Sequence, residues 1–264
     1  MNEYLQYKKS LAKFNPENYG LATIDLNPTE LCNRVCHFCP RSSFYPSLNL
    51  NMSLESADLL QRRLVEFNYQ GALTIAGKGE PLLNKNIYGI ITILNSWNPI
   101  LITNGDSILK DNSIAKRLFN SGVHQVIISE YDSMTKTEIW DELFEGRNYR
   151  VKDLTKGAEQ YFNNRGGSFN TINNSLERTC YFPFYKITIN YDLSLNFCLN
   201  DWKYKEEIGN LTTNTLKDIW MGSKMMAYRK KLIEKRRCDI NACKKCDTDG
   251  TLMGQESFEW FQTL

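Results

Sequence analysis

The sequence has few of the side chains that most often carry acid–base chemistry. Its 264 residues include only two histidines, His37 and His124, and neither lies in a Ser/His/Asp pattern or a metal-binding pattern. There is little basis here for hydrolytic or histidine-based catalysis. The net charge is also small, at +2, so the composition does not require a polyanionic partner, and we expect no binding of nucleic acid.

Long apolar runs are also lacking. No stretch approaches the roughly 20 apolar residues that span a bilayer, and the opening MNEYLQYKKS has no apolar core of a signal peptide. We therefore expect a cytoplasmic protein without membrane association. Thiols stay reduced in the cytosol, where clustered cysteines indicate metal binding or catalysis. The eight cysteines thus point to metal.

Three of these cysteines lie within eight residues, at Cys32, Cys36 and Cys39. A disulfide over so short a loop would be strained and would leave one thiol over. Three thiolates suit an iron–sulfur cube, because they hold three of its irons and leave the fourth open to an exchangeable ligand. The alternative is a zinc site that borrows a fourth ligand, with His37 as the candidate.

A second set of cysteines lies nearer the C-terminus. Cys243 and Cys246 form a Cys-x2-Cys knuckle, and Cys180 and Cys198 could supply two more ligands, which leaves Cys238 spare. Four thiolates close a metal site. On spacing alone, a zinc knuckle is the alternative to an iron–sulfur cluster.

Apolar strands alternate with helical patterns in the first part of the chain. The predicted strands are 20–26, 71–76, 99–103 and 125–129. The predicted helices are 53–67, 86–96, 112–121 and a less regular span at 134–163. Because each strand ends in a loop with polar residues, we predict an α/β fold, a partial TIM-type barrel with its functional groups at the carboxyl ends of the strands. Four strands are predicted with a fifth and a possible sixth.

The pattern changes after residue 165. Two alternating runs, 185–190 and 193–198, flank Tyr191-Asp192 and predict a hairpin. A helix is predicted at 213–235 with a basic end at 229–237, and basic helix ends are most often solvated. We divide the chain into a lead-in (1–19), the partial barrel (20–165), a hairpin-plus-helix module (166–250) and a C-terminal tail (251–264).

The first cysteine loop resembles the signature of radical S-adenosylmethionine (radical SAM) enzymes. The likeness lies in the Cys-x3-Cys-x2-Cys spacing, in Phe38 before the last cysteine, and in the flanking stretches 26–31 and 40–42. The resemblance implies a [4Fe-4S] cluster on Cys32, Cys36 and Cys39, whose open iron chelates S-adenosylmethionine. It also implies reductive cleavage of that cofactor to a 5′-deoxyadenosyl radical, with Phe38 near the adenine.

Three strand ends extend this resemblance. Gly77-Lys78-Gly79-Glu80 is a weak signal alone, since a Gly-rich turn is common after a strand. In the family a Gly-Gly-Glu motif at this place binds the methionyl amino group, which implies that role for Gly77, Gly79 and Glu80, although Lys78 splits the glycines. Asn104, in a turn-prone Asn-Gly pair, would border the cofactor.

At the end of the fourth predicted strand, Ser129 matches a ribose-contacting serine of the family. The family often continues as Ser-x-Asp. Here the sequence reads Ser129-Glu130-Tyr131-Asp132, which shifts the acid by one position and leaves the role of Asp132 open.

The second cysteine set resembles the SPASM module of radical SAM enzymes or its shorter form, Twitch. The likeness includes the stretch 183–190, the strand ending in Cys198, and 208–220. It implies one auxiliary Fe-S cluster, of the [4Fe-4S] type, on Cys180, Cys198, Cys243 and Cys246. The family usually has glycine where Leu193 stands, so the form of the hairpin turn is open.

Arg165, in Asn164-Arg165-Gly166-Gly167, stands where the aminocyclitol-dehydrogenase-like members of the family have a substrate-contacting arginine. We therefore predict a radical SAM oxidoreductase that abstracts hydrogen from a substrate C–H. The net reaction would be dehydrogenation of a small polar alcohol such as a sugar or aminocyclitol. The expected partners are this small-molecule substrate and an electron donor such as flavodoxin or ferredoxin, which could dock on the basic end at 229–237.

Three alternatives remain from the sequence. The enzyme could be a radical SAM peptide maturase. It could be an epimerase in which Cys238 returns a hydrogen atom. From another class, it could be a non-catalytic zinc-binding protein.

Overall fold

The fold is built on one eight-stranded sheet in a computed structural model that describes residues 3–131, 137–155, 163–168, 176–203 and 206–264. The strand order is β5-β4-β3-β2-β1-β6-β7-β8. The strands are β1 Thr23–Asn27, β2 Ala72–Ile75, β3 Ile100–Thr103, β4 Gln125–Glu130, β5 Tyr149–Asp153, β6 Lys186–Asn190, β7 Ser194–Asn196 and β8 Glu207–Asn210. Strands β1 to β6 pair in parallel, and β7 and β8 continue the sheet antiparallel. The predicted partial barrel is confirmed as an open α/β sheet.

Helix α1, Glu3–Leu11, precedes β1. The helices between the parallel strands include α2 Leu54–Glu66, α3 Ile87–Ile93, α4 Asp106–Lys110, α5 Ser113–Asn120 and α6 Thr137–Phe144. Helix α2 begins at Ser53, whose hydroxyl accepts from the Ser56 amide at 3.1 Å. Ala57, Leu60 and Leu64 are buried on one face of it at helical spacing. No helix among the described residues is both long and apolar enough to cross a bilayer.

Two predicted helical spans were wrong in part. The span 134–163 contains the edge strand β5, and its residues 156–162 lie outside the described part of the chain. The helix predicted at 213–235 is two helices, α8 Leu216–Trp220 and α9 Ser223–Ile233. At the break, a Cβ on Gly222 would lie 2.2 Å from the Asp218 carbonyl oxygen, so the chain bends where only glycine fits.

The predicted hairpin is confirmed, and it joins the barrel sheet directly. β6 pairs with β1 from Thr23↔Lys186 to Asn27↔Asn190, so the boundary we predicted at residue 165 does not interrupt the sheet. Leu193 adopts φ 65° in the turn and is 1% exposed. Burial of its side chain offsets the cost of left-handed backbone at a non-glycine residue.

The C-terminal segment predicted as a tail forms α10, Gln255–Gln262. The ring of Phe258 lies 5.0 Å from that of Phe184, which belongs to α7, Phe182–Tyr185. Phe261 lies 6.1 Å from Trp220. These rings complete the core beside β6.

We had expected the basic end at 229–237 to be solvated, but two of its arginines are buried. Arg229 and Arg237 are each 1% exposed. The Arg229 guanidinium lies 3.9 Å from the ring centre of Phe261 and donates to the Pro183 carbonyl at 2.9 Å. Spacing could not reveal this, because the aromatic and carbonyl partners come from distant segments.

Candidate functional site

A cavity of about 350 Å³ lies at the carboxyl ends of the parallel strands. Every site residue predicted for the radical SAM domain lines it, namely Cys32, Cys36, Phe38, Cys39, Gly77, Gly79, Glu80, Asn104, Ser129 and Arg165. Such an edge is where parallel α/β sheets collect functional groups. The cavity therefore brings together residues that the sequence separates by up to 133 positions, from 32 to 165.

The three-cysteine loop leaves β1 and is held by hydrogen bonds of its own backbone. The Cys39 amide donates to the Cys36 carbonyl at 2.9 Å, and the Cys32 amide donates to the Ser47 hydroxyl at 2.9 Å. All three cysteines are half-buried. Burial raises the pKa of the Cys32 thiol, so the metal-free thiol stays protonated at neutral pH.

Two side chains inside the loop tie it to the end of β3. Arg34 pairs with Asp106, with Nε 2.7 Å from Oδ2, and Asn33 donates to the same carboxylate at 2.6 Å. The Asn104 amide group donates to Asn33 Oδ1 at 2.9 Å. The hydrogen bond from Arg34 is the main cause of the lowered pKa of Asp106. The loop is thus braced across the mouth of the cavity.

A buried arginine, which we had not predicted as a site residue, holds the other side of the loop. Arg41 is 8% exposed and Glu30 is 1% exposed. Arg41 donates to the Glu30 carbonyl at 2.7 Å and to the Lys78 carbonyl at 3.0 Å, and its Nη2 lies 3.5 Å from Glu30 Oε2. In the sequence, the feature that could have identified Arg41 as a site residue is its positive charge two positions after Cys39.

The two glycines after β2 are required by the chain's own packing. A Cβ on Gly77, at φ 128°, would lie 2.3 Å from Asn27 Oδ1, and one on Gly79 would lie 2.2 Å from the Thr29 carbonyl oxygen. Both distances exclude a side chain. The segment 77–80 can therefore lie directly against the loop that precedes the cysteines.

Glu80 is 4% exposed and is held by several donors. Its Oε1 accepts from the Thr103 hydroxyl at 2.6 Å and from the Leu82 amide at 3.1 Å, and its Oε2 accepts from the Asn104 amide at 2.8 Å. Burial raises the pKa of this carboxyl while the hydrogen bonds lower it. A carboxylate offers about four acceptor positions, so one position remains for a ligand.

The Thr103-Asn104-Gly105 segment opens a helix instead of forming the alternative hairpin-type turn. Gly105 has φ 80° and precedes α4, and the Asn104 Oδ1 accepts from the Asp106 amide at 3.0 Å. A Cβ on Gly105 would lie 2.7 Å from the Trp140 ring. Asn104 is thereby fixed between Glu80 and the cysteine loop.

Aromatic rings form one wall of the cavity. Phe38 lies 5.4 Å from Tyr131 between ring centres, and the Arg34 guanidinium lies 5.5 Å from the Tyr131 ring. Burial raises the pKa of Tyr131 to about 12, against a hydrogen bond with Ser129. Such a wall suits a flat, aromatic ligand. Asp132 lies outside the described residues.

Lys78, which splits the glycine motif, is a further lining residue that sequence reasoning did not assign. It is 6% exposed, and its Nζ donates to the Asp201 carbonyl at 3.2 Å. The rings of Tyr45 and Trp202 each lie 5.7 Å from Nζ. Burial lowers the pKa of Lys78 to about 8. In the sequence, the feature that could have identified Lys78 as a lining residue is its place between two glycines at the end of a predicted strand.

Arg165 reaches the cavity from a turn that is fastened to the second cysteine region. The Asn164 amide donates to Asp247 at 2.7 Å, and its side chain donates to the Lys245 carbonyl at 2.7 Å. A Cβ on Gly166 would lie 2.5 Å from the Asn200 carbonyl oxygen. The Asn-Arg-Gly-Gly turn therefore lies between the segments that follow Cys198 and surround Cys246.

Cys180, Cys198, Cys243 and Cys246 line one small cavity together. Burial raises the pKa of Cys180 to about 11 and that of Cys243 well above its ordinary value, and neighbouring cysteines add to both shifts. Cys238 does not line this cavity, since its thiol is exposed, with Sγ 3.5 Å from Asp239 Oδ1.

The surroundings of the four thiols fit an iron–sulfur cluster. Arg237 lines their cavity, and its buried Nε has no acceptor among the described residues. Sulfur atoms of a cluster are the acceptors that such a site would supply. A Cβ on Gly250 would lie 2.3 Å from Cys180 Sγ, so this thiol also needs a glycine beside it.

Neither cysteine set is arranged around a single ion. Among the residues that the structure describes, no group of three or more His, Cys, Asp or Glu side chains could hold a metal ion. Zinc needs its ligands within about 2.0–2.3 Å of one point, whereas a four-iron cube spreads its cysteines over separate corners.

Comparisons with known proteins agree with this geometry. Residues 180–247 match the SPASM iron–sulfur cluster-binding domain. The S-adenosyl-L-methionine-dependent 2-deoxy-scyllo-inosamine dehydrogenase of Niallia circulans is 24% identical over 232 residues, which are 85% of this chain and 92% of that enzyme.

Two solved structures share the fold. The crystal structure of BtrN in complex with AdoMet and 2-DOIA has a TM-score of 0.75 at 22% identity and covers 89% of this chain and 96% of its own. Native anSMEcpe with bound AdoMet has a TM-score of 0.55 at 16% identity and covers 92% and 96%. With the SPASM match and the Niallia circulans relative, these findings show that the chain is similar to S-adenosylmethionine-dependent enzymes of this fold and that its residues 180–247 resemble a SPASM iron–sulfur domain.

Proposed function

We propose that this enzyme dehydrogenates a small polar alcohol, such as a sugar or aminocyclitol. The observation that carries the proposal is the Asn164–Gly167 turn, which is hydrogen-bonded to the SPASM region and bears Arg165 in the cavity of the three cysteines. One cavity thus adjoins both cysteine sets. The similarity to a dehydrogenase of an aminocyclitol supports the reaction class.

We assign the first cluster to Cys32, Cys36 and Cys39 and the auxiliary cluster to Cys180, Cys198, Cys243 and Cys246. When bound, the first cluster and S-adenosylmethionine supply a 5′-deoxyadenosyl radical that removes a hydrogen atom from a substrate C–H bond. The auxiliary cluster would supply a one-electron acceptor for the second oxidising equivalent.

The remaining residues would bind and orient. The free acceptor position of Glu80 suits the methionyl ammonium, beside the Gly77–Gly79 backbone. Phe38 would stack near the adenine, and Asn104 and Ser129 would line the nucleoside. Arg165 would donate to the substrate hydroxyl oxygen and hold it in place. The buried wall excludes water from a reactive radical.

We infer that an acidic flavodoxin or ferredoxin in the cytoplasm, where cysteine thiols stay reduced, donates the electron. The exposed cations of the basic end are Arg236, which pairs with Glu234, and the two lysines Lys230 and Lys235. Changing both to glutamate should slow turnover with flavodoxin and spare turnover with dithionite. Equal losses with both reductants would contradict this docking site.

Anaerobic reconstitution tests the main proposal. The wild type should bind about eight irons and eight sulfides and release 5′-deoxyadenosine when reduced in the presence of S-adenosylmethionine. Replacing Cys32, Cys36 and Cys39 by alanine should remove about half of the iron and all of the cleavage.

The matched variant Cys243→Ala/Cys246→Ala should also lose about half of the iron but keep cleaving S-adenosylmethionine. One or two zinc ions per chain with no cleavage would contradict the proposed function. Cys238, the hydrogen donor of the epimerase alternative, is exposed and is not among the described residues that line the cavity.

A further inference from the structure

The small cavity lined by the second set of cysteines disfavours negative charge. Burial raises the pKa of Cys180 to about 11 and also raises the pKa of Cys198. A cluster held by four thiolates is negatively charged, and reduction adds one more electron to it. The cations and hydrogen-bond donors around such a cavity therefore decide how readily its cluster is reduced.

One buried arginine supplies the positive charge at this small cavity. Among the described residues that line it, Arg237 is the one charged side chain, and it is 1% exposed. Burial raises the pKa of both Cys180 and Cys243, and the charge of Arg237 opposes both shifts. The guanidinium therefore favours the thiolate forms that a cluster requires.

Backbone carbonyls hold the guanidinium of Arg237 in one position. Its Nη1 donates to the Thr248 carbonyl at 2.8 Å, and its Nη2 donates to the carbonyls of Thr179 at 2.7 Å and Asp249 at 2.8 Å. These acceptors lie just before the first cysteine of the set and just after the last. The planar group is thus fixed between two segments that carry cysteines of the set.

The third nitrogen of this guanidinium has no acceptor of that kind. The Nε of Arg237 is buried and has no hydrogen-bond partner within the described parts of the chain. Because the guanidinium is planar, the contacts of its Nη atoms also fix the direction of the Nε–H bond. A buried donor without an acceptor costs free energy, and a sulfur atom of a cluster between the four cysteines is an acceptor that would remove this cost.

The nearby carboxylate of Asp249 is bound by other residues. Its Oδ1 accepts from the Thr251 amide at 3.1 Å, and its Oδ2 accepts from Arg178 at 3.3 Å. The pKa of Asp249 is lowered mainly by its hydrogen bond with Thr251 and least by the charge of Arg237. This carboxylate therefore balances the charge of Arg237 only weakly.

We propose that the Nε–H of Arg237 donates a hydrogen bond to a sulfur atom of the auxiliary cluster and, with the charge of the guanidinium, raises the reduction potential of that cluster. This rests on the proposed function, which assigns the cluster to the four cysteines. A donor and a cation stabilise the reduced cluster more than the oxidised one, because the reduced cluster carries one more electron. That electron comes from the substrate radical, whose hydroxyl proton passes to solvent as the carbonyl group forms, so a higher potential favours the oxidation.

Redox titration followed by EPR tests this role in the full-length chain with Cys32, Cys36 and Cys39 replaced by alanine, which keeps only the auxiliary cluster. Arg237→Met should make reduction of that cluster about tenfold or more less favourable, a fall of about 59 mV or more in its midpoint potential. Arg236→Met removes a neighbouring exposed cation and should change the reduction constant by less than about twofold. Equal effects of the two substitutions on the potential would overturn the inference.

Pulsed EPR tests the hydrogen bond itself and does not depend on whether Arg237→Met keeps its cluster. In the same background labelled with ¹⁵N-arginine, the reduced cluster should show a ¹⁵N coupling that the unlabelled protein lacks. Labelled Arg237→Lys, which keeps the charge but has no Nε–H, should lose this coupling, and its potential should lie between those of the background and Arg237→Met. Absence of the coupling with arginine at position 237 would overturn the hydrogen bond.

A third variant separates this role from packing. Arg229 is also 1% exposed, but it is not among the described residues that line the small cavity. Arg229→Met should leave the reduction constant within about twofold of the background, and a shift as large as that of Arg237→Met would overturn the inference. A background that binds no cluster would overturn the auxiliary cluster of the proposed function as well. A bound cluster whose potential and coupling do not depend on Arg237 would overturn this inference alone.

Discussion

At the scale of single residues, burial and hydrogen bonding decide how each charged group at the cavity behaves. Glu80 keeps three donors around its carboxylate, which offset the cost of its burial. Lys78 contacts the Asp201 carbonyl and two aromatic rings, and its burial lowers its pKa to about 8 against the nearby charges of Glu30 and Asp201.

The lowered pKa of Lys78 predicts a pH-dependent stability. In the folded protein Lys78 releases its proton near pH 8, whereas in the unfolded chain it does so near 10.4. Between these values the unfolded state binds more protons, so the free energy of unfolding rises with pH. Relative to Lys78→Met, the wild type should gain about 1 kcal/mol between pH 7 and pH 9.

Urea unfolding of the reduced, metal-free proteins at both pH values measures this difference. Lys110→Met, at an exposed position of α4, serves as the control and should track the wild type. If the free energy of unfolding of the wild type relative to Lys78→Met stays constant or falls as the pH rises, Lys78 keeps its ordinary proton affinity.

At the scale of elements, the turn 163–168 connects the two cysteine regions. The Asn164 backbone amide donates to Asp247, the Asn164 side chain donates to the Lys245 carbonyl, and the arginine of the turn enters the cavity. Because Gly166 nearly touches the Asn200 carbonyl, the turn has no room to move outward.

Gly166→Ala should therefore disturb the SPASM region. Gly146 is a matched control, since it has φ 74°, close to the 65° of Gly166, but no atom within 4 Å of an added Cβ. Gly146→Ala should cost about 1–2 kcal/mol of stability from backbone strain alone. Gly166→Ala should cost more and lower the reconstituted iron toward about half, while cleavage of S-adenosylmethionine persists. Equal effects of the two substitutions on stability and iron would refute the packing argument.

At the scale of the whole molecule, one sheet carries both cysteine regions. β1 precedes the three-cysteine loop, its neighbour β6 leads into the hairpin, and Cys198 follows β7. The relative position of the two regions is thus fixed by strand pairing, which suits the proposed transfer of an electron from the substrate to the auxiliary cluster.

Helix α10 closes the core behind this sheet, so it should contribute to global stability. Phe261, 3% exposed, packs on Phe184 and Trp220 and beneath Arg229. Phe261→Ala should destabilise the protein by about 3–5 kcal/mol, as measured by urea unfolding, and should leave the affinity for S-adenosylmethionine of the folded fraction unchanged. Leu264→Ala, at a position 66% exposed, should cost less than about 0.5 kcal/mol. A small effect of Phe261→Ala would mean that α10 is peripheral.

The sequence by itself determined the features that local spacing encodes. Strands β1 to β4, the hairpin and the three-cysteine loop follow from periodicity, turn residues and cysteine spacing, which act over a few residues. The family resemblance then predicted that Glu80, Asn104 and Ser129 would lie near the loop, and all of them line its cavity.

Only the tertiary structure decided the features that depend on distant partners. The edge strand β5 forms because β4 pairs with it, although its own residues also fit a helical pattern. Arg229 and Arg237 are buried because rings and carbonyls from other segments surround them. Lys152 and Thr188 meet in one cavity because β5 and β6 belong to the same sheet. The set of side chains that lines the cavity is therefore a property of the assembled sheet and of no single stretch of sequence.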